Sequence, residues 1–455
     1  MTIASTRSPT PEAIEIHASI SLEIHCPIPT ALYTLYSEPE IGEKPRQDRQ
    51  GKSPVSSSSD HSEDIGLKIL ETTGKSPGGD MKTRKSNGSY QKRRIRYGVV
   101  GLGHIAQVAV LPAFAHATHS ELTTLVSDDK TKLRELSKRY RVPHTYSYEQ
   151  YDQCLREGHI DAVYIALPNS MHCEYATRAA RAGIHVLCEK PMAVTERECR
   201  QMIRAARQAN IKLMVAYRLH VERANLRAVE IARSGKLGKL RMFNSTFTMQ
   251  VRPGDIRTQS RMGGGSLYDI GVYCINAARY LFQENPIEVS TFSVKGTDRR
   301  FREVDEMSAA LLLFPDGRLA SFVCSFGATD VSSYEVVGTK GRLQIDPAFE
   351  YVGPLVHRLT LNGETKTTRF PASDQFAAEV IYFSDCIRRN KEPEPSGEEG
   401  LIDVQIVQAL YRSSAQRKPI ALRLPAKSRW PTKRQVVTRP PVRKPQLVHV
   451  KSPSL

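Results

Sequence analysis

The groups in this 455-residue chain best suited to moving a proton are a lysine after an apolar strand and an Asp/Tyr pair that follows three glycines. Lys190 follows Ile184–Glu189, which reads as a buried strand, and Pro191 beyond it removes a donor and fixes the local geometry. Asp269 and Tyr273 are four apart, so on a helix they project from one face. The glycines 263–265 before that helix allow a close approach of its start to a ligand. A phenol with a pKa of about 10 is a poor base at neutral pH, and a neighbouring ammonium favours its ionised form. Such a set can exchange a hydroxyl's proton while a hydride moves to or from a nicotinamide.

A glycine string upstream supplies the place for that hydride carrier. Residues 98–106 read GVVGLGHIA, a strand (Ile95–Val100) running into a turn and then a helix. Gly101 and Gly103 allow the turn and a close approach of backbone to a pyrophosphate, and Ala106 takes the small third position where helix packs on strand. His104 and Ile105 open the helix, whose N–H groups and positive dipole end favour phosphate.

Strand and helix signals then alternate. Strands are expected at Glu121–Ser127, Asp161–Pro168, Ile184–Glu189 and Lys212–Ala216, and helices at Lys130–Tyr140, Met171–Ala182 and Thr195–Asn210. The last opens with Thr195 three residues before Glu198, the pattern of a capping box. This alternation predicts an α/β fold with a doubly wound parallel sheet that binds ligands at the carboxyl ends of its strands. Gly101, Asp128, Pro168 and Lys190 all fall at such ends.

Five segments in this order, GLGHIA (101–106), LPNSMH (167–172), CEKPMA (188–193), AYR (216–218) and 263–273, resemble the Gfo/Idh/MocA oxidoreductases, and among them the glucose-fructose oxidoreductase branch. The likeness runs from about Ile95 to about Leu422. It implies a Rossmann domain (92–217), then a substrate and oligomerisation domain (218–424) whose largely antiparallel open sheet joins subunits into a dimer or tetramer, with the active site between them. By resemblance Tyr273 is the acid/base, and Lys190 and Asp269 orient the sugar substrate and tune the tyrosine. Inositol-dehydrogenase-like members carry histidine at the position of Tyr273, so the implied substrate is a cyclic aldose or related carbonyl sugar. The resemblance also carries cofactor contacts to Pro168, Asn169 and His172 at the nicotinamide ribose, to Glu189 and Lys190, to Arg218 at a phosphate or the carboxamide, and to Tyr148 on the adenine side. Arg257, in the loop before the glycines, is a further candidate. The same fold also serves a dinucleotide-binding transcriptional co-repressor without chemistry, and retention of Lys190, Asp269 and Tyr273 together favours an enzyme.

Cofactor choice is read after the second strand. An acid there accepts the ribose hydroxyls of NAD, whereas a hydroxyl with a nearby cation suits the 2′-phosphate of NADP. Ser127 and Lys132 match the phosphate-binding positions of the resembling enzymes and favour NADP over NAD, although Asp128 stands where those enzymes have a small residue.

The net charge of +17 belongs mostly to the flanks. Residues 82–97 hold seven Lys/Arg and residues 427–455 hold eight, with no acid in either window. Residues 1–91 and the basic, Pro-rich 425–455 read as disordered, with nucleic-acid affinity limited to weak tail electrostatics. A chain trimmed to 91–426 is accordingly expected to fold and turn over sugar, and Met81 is a candidate start of translation. Eight cysteines without a C-x-x-C pair point away from a metal site, and neither an export leader nor a membrane span is read, so a cytoplasmic enzyme is expected.

Overall fold

The structure, a computed structural model, describes residues 93–455. The readings made on residues 1–91, Met81 and Cys26 among them, lie outside the described residues.

The first sheet has six parallel strands: β1 (Ile95–Val100), β2 (Ser120–Val126), β3 (His144–Tyr146), β4 (Ala162–Ile165), β5 (His185–Cys188) and β6 (Leu213–Val215). Their order is β3-β2-β1-β4-β5-β6, the doubly wound arrangement expected from the alternation. Central strands are buried but for Arg96 near the start of β1, as a sheet covered on both faces requires. The helix Lys130–Tyr140 has its expected bounds, and Thr195 and Glu198 form the expected capping box on Glu196–Gln208. The strand read at Asp161–Pro168 is only Ala162–Ile165. Asp161 instead accepts hydrogen bonds from the guanidinium groups of Arg93 and Arg96, and Asn169–Met171 forms a short 3-10 turn. The edge strand β3 and the helix Tyr151–Arg156 had no separate reading, being too short to show a period.

The second sheet has nine strands: β7 (Leu240–Thr248), β8 (Glu288–Val294), β9 (Met307–Leu313), β10 (Leu319–Ser325), β11 (Val331–Gly338), β12 (Gly341–Ile345), β13 (Leu355–Leu361), β14 (Glu364–Phe370) and β15 (Ile420–Ala421). Their order is β14-β13-β12-β11-β7-β10-β9-β8-β15, antiparallel except for β7 beside β10. Alternation along β9 buries Ser308, Ala310 and Leu312 and exposes Met307, Ala309 and Leu311, so one face packs on helices and the other stands open.

Two domain boundaries need correction. The helix Gln375–Arg388 shares a core with β1, through Phe376, Val380 and Phe383 against Ile95, Tyr97 and Val99, so the layer over the first sheet is completed from far down the chain. The tail 425–455 is also ordered on the body, contrary to the disorder expected of it. Lys427 donates to buried Glu394 and Glu399, Gln435 to the Glu394 carbonyl, and the Asp374 N–H to the Arg439 carbonyl, while Val448 is buried. Its prolines make little regular secondary structure, but the body bonds its backbone at several points and supplies the acids its composition lacks. Trimming at 426 would strip Lys427 from two buried carboxylates, a change worth about 3–5 kcal/mol. Among the described residues no helix is long and apolar enough to cross a membrane, and none of the His, Cys, Asp and Glu side chains group into a metal site.

Candidate active site

Gly101 ends β1 with φ +92°, and a Cβ there would lie 2.5 Å from the Ala166 carbonyl oxygen. The turn therefore presses against the loop that follows β4, a fit open only to glycine. Gly103 has nothing within 4 Å of where its Cβ would stand, leaving open the approach to the helix start at His104 and Ile105. That helix passes through a π-helical stretch at Ala106–Val110. His104 is half-buried, and burial, aided by the charge of Arg257, holds its pKa below the ordinary value.

At the end of β2, Ser127 is buried and accepts from the Asp129 N–H, and Asp129 caps the next helix by accepting from the N–H groups of Thr131 and Lys132. The Lys132 ammonium is 3.8 Å from the Asp129 carboxylate. Asp128 accepts a 2.8 Å hydrogen bond from the Tyr148 N–H, which gives its carboxylate a partner in the neighbouring loop. Tyr148 packs edge-on against Tyr175, and burial pushes its phenol up to about 12.

Lys190, Asp269 and Tyr273, distant in sequence, come together. Lys190 Nζ donates to Asp269 Oδ1 at 2.8 Å and to the Asp269 carbonyl at 2.7 Å, and lies 4.9 Å from the Tyr273 ring centroid. Arg257 Nε donates to the other carboxylate oxygen of Asp269 at 2.6 Å and is itself paired with Asp255. Burial works against both charges of the pair. For Lys190 it is outweighed by Asp269, then Tyr273, so the ammonium titrates above its ordinary value. For Asp269 it is outweighed by Arg257 and Lys190, which hold the carboxyl well below the usual range. Asp269 lies in a π-helical turn, Leu267–Gly271, that leads into the helix Val272–Phe282 carrying Tyr273. The single regular helix expected here is thus widened by a turn of a kind frequent at functional sites.

Aromatic rings enclose the tyrosine. Phe247 meets the Tyr273 ring edge-on at 5.6 Å and Phe349 lies 5.9 Å from it. Arg218 is engaged by the protein itself. It is buried, donates to Gln375 and to the Phe349 carbonyl, and sets its guanidinium 5.1 Å from the Tyr273 ring. Its strand-end position suggested a cofactor contact, but those partners lie beyond residue 345 and left no local signal.

The remaining cofactor candidates hold loops together. His172 is fully buried with its ring nitrogens 2.9 Å from the carbonyl oxygens of Pro191 and Leu167, so it ties the loop after β4 to the lysine loop and has no face left for a ribose. Pro168 opens the 3-10 turn, and Asn169 donates to the Gly263 carbonyl at 2.8 Å. Glu189 accepts from the Tyr164 hydroxyl, turned toward the interior. The three glycines serve packing: a Cβ on Gly263 would stand 2.6 Å from Val194, on Gly264 2.4 Å from the Arg257 carbonyl, and on Gly265 2.5 Å from the Tyr411 hydroxyl. Close packing of loop on loop, rather than open approach to a ligand, is what demands them. Asp255 and Phe247 were missed, since a short loop and a mixed strand carry no motif.

The comparisons agree with this architecture. The family model described as "Oxidoreductase family, NAD-binding Rossmann fold" matches residues 95–217, and the GFO/IDH/MocA C-terminal domain matches 225–344. The chain belongs to the GFO/IDH/MocA oxidoreductase family. It is 30% identical to the D-xylose 1-dehydrogenase [NADP(+)] of Haloarcula marismortui, over 72% of this chain and 93% of that one. Among solved structures it is similar to the aldose-aldose oxidoreductase from Caulobacter crescentus complexed with glycerol, with TM-score 0.70, 38% identity, and coverage of 72% of this chain and 100% of that one. It is also similar to KijD10, a 3-ketoreductase from Actinomadura kijaniata in complex with NADP and TDP-benzene, with TM-score 0.65, 29% identity, and coverage of 70% and 98%.

Proposed function

We propose that this protein is an NADP-dependent oxidoreductase transferring a hydride between the nicotinamide and a sugar, a cyclic aldose or related carbonyl sugar. The observation that carries this reading is the Lys190–Asp269 ion pair, which fixes an ammonium 4.9 Å from the Tyr273 ring. Tyr273 exchanges the proton of the reacting hydroxyl, Lys190 orients that oxygen and stabilises charge on the tyrosine, and Asp269, clamped by Arg257, holds Lys190 in place. Phe247 and Phe349 cover part of the ring. Bound NADP supplies the hydride acceptor or donor. The residues present fit it: Gly101, Gly103 and the helix start at His104 would hold the pyrophosphate, and Ser127 with Lys132 the 2′-phosphate, with Asp128 engaged by the Tyr148 N–H. Relatives whose names specify NADP and aldose chemistry support the same choice.

The open face of the second sheet supports assembly as a dimer or tetramer. Phe292 is 74% exposed there, with Met307, Leu311 and Leu319 also exposed, an apolar surface of the kind that marks an association site. The seven free, buried cysteines among the described residues suit the cytoplasm. The test is absorbance at 340 nm with NADP or NAD and a panel of aldoses. Turnover with NADP is expected, and a protein that binds dinucleotide yet oxidises or reduces no sugar would overturn the reading in favour of a non-catalytic dinucleotide sensor.

A further inference from the structure

The C-terminal tail takes a path that the proton chemistry does not use. Beyond Pro441 it turns toward the Rossmann turn: Arg139 donates to the Gln446 carbonyl at 2.6 Å, and the side-chain amide of Gln107 pairs with Val448 in both directions, at 2.9 and 2.8 Å. Gln107 is buried on the helix that starts at the glycine turn, and its amide also donates to the Leu102 carbonyl within that turn. One residue further on, His449 Nδ1 is 3.1 Å from Asp129 Oδ2, the carboxylate that caps the helix carrying Lys132. The chain then leaves the first domain. The Arg252 N–H donates to the Pro453 carbonyl, Ser454 bridges Val251, and the Leu455 N–H donates to the Gln250 carbonyl, all just past the end of β7. Four residue steps, at most about 14 Å of extended chain, therefore cross from the end of β2 to the second domain. The segment so anchored carries Arg443, Lys444, His449 and Lys451 and no acid. The charge of Lys444 is felt at His104, where it joins burial and Arg257 in lowering the imidazole pKa.

We propose that Arg443–Leu455 is part of the dinucleotide site: a strap that closes over bound NADP, with Lys444 on the pyrophosphate side and His449 beside Lys132 at the adenosine 2′-phosphate. The inference rests on the NADP reading above and extends it. Two latches, Gln107–Val448 on the first domain and Arg252–Pro453 just past β7, hold the strap at both ends, and the basic residues carried on it complement a ligand bearing three phosphate groups. NADP then enters and leaves only when the strap lifts, so the strap sets the rate of cofactor exchange more than the rate of chemistry.

The test is the binding and release of NADPH and NADH by the full chain, measured by fluorescence titration and stopped-flow displacement. Three variants are compared with it: His449→Ala, Gln107→Leu, and a chain ending at Val442. His449→Ala is expected to weaken NADPH at least fivefold while moving NADH less than twofold. Gln107→Leu and the shortened chain are expected to release NADPH at least tenfold faster. NADP should also slow tryptic cleavage after Arg443 and Lys451 in the full chain. If the shortened chain fails to fold, the two point variants decide. Release and affinity within twofold of the parent in both, with no protection from trypsin, would overturn the strap while leaving the NADP reading intact. A parent chain that binds neither nucleotide overturns both.

Discussion

Replacing Asp269 with Asn tests whether the carboxylate between two cations organises the site. Its oxygens accept from Lys190 at 2.8 Å and Arg257 at 2.6 Å, and the paired side chains of Lys190 and Asp269 are only 11% and 16% exposed. Removing one member of a buried pair costs about 3–5 kcal/mol. The low end applies here, because Lys190 keeps the backbone carbonyl of residue 269, Arg257 keeps Asp255, and solvent reaches part of the cluster. A loss of about 3 kcal/mol in a body of this size lowers Tm by about 4 °C. Activity should also fall, by about a hundredfold, since that is what a displacement of about 1 Å at a positioned group costs. The pH profile separates this from general damage. Burial is the largest influence on Lys190 and is opposed chiefly by Asp269, so without that charge the ammonium titrates at lower pH and the alkaline limb of kcat moves down. The assays are thermal melting, kcat between pH 6 and 10, and NADPH titration, in which affinity should hold within about threefold, roughly 0.7 kcal/mol. A variant with parental Tm and an unmoved alkaline limb would refute the argument.

Tyr273→Phe keeps the ring against Phe247, Phe349 and Arg218 and should lower kcat by about a hundred- to ten-thousandfold with little change in dinucleotide affinity; near-parental turnover would remove the tyrosine from its role. Lys132→Ala should weaken NADP by about ten- to a hundredfold, the worth of a hydrogen bond to a charged group, and NAD much less, as read by parallel titrations. Glu379 is fully buried, with one carboxyl oxygen unpartnered; burial foremost, then the charge of Glu189, raises its pKa well above the ordinary 4.5. A raised folded-state pKa gives stability that is present below 4.5 and lost as pH rises toward the folded value. Glu379→Gln, which cannot ionise, should therefore raise Tm more at pH 8 than at pH 5; equal gains at the two pH values would contradict this.

What could be read from the sequence was what neighbouring residues decide among themselves. The strand Ile95–Val100 and the helix Lys130–Tyr140 have their expected bounds, and Thr195 with Glu198 closes a capping box, because periodicity and capping act over a few residues. Lys190, Asp269 and Tyr273 could be singled out by motif, but the ion pair between Lys190 and Asp269 spans 79 positions, and nothing in either motif specifies it. Arg218 and His172 show the other side of this. Arg218 follows β6 and His172 opens the helix after β4, near where ligands bind, yet the partners that occupy them, Gln375 and the Phe349 carbonyl for one and the Pro191 carbonyl for the other, are set by tertiary packing.

The tail follows from the same logic. Proline and unbalanced lysine and arginine mark a segment that cannot build a core of its own. That criterion is silent about acids waiting elsewhere, and Glu394, Glu399, Glu230 and Asp129 supply them to Lys427, Lys433 and His449. A segment judged by its own composition looks solvated; judged by the charges it meets, it is a strap. Its basic residues have only part of their complement in the protein: Arg443, Lys444 and Lys451 are exposed, the first two just before the Gln107–Val448 latch and Lys451 on the route from that latch to the second domain. A bound dinucleotide, with its phosphates on that route, would complete the pairing that the fold begins.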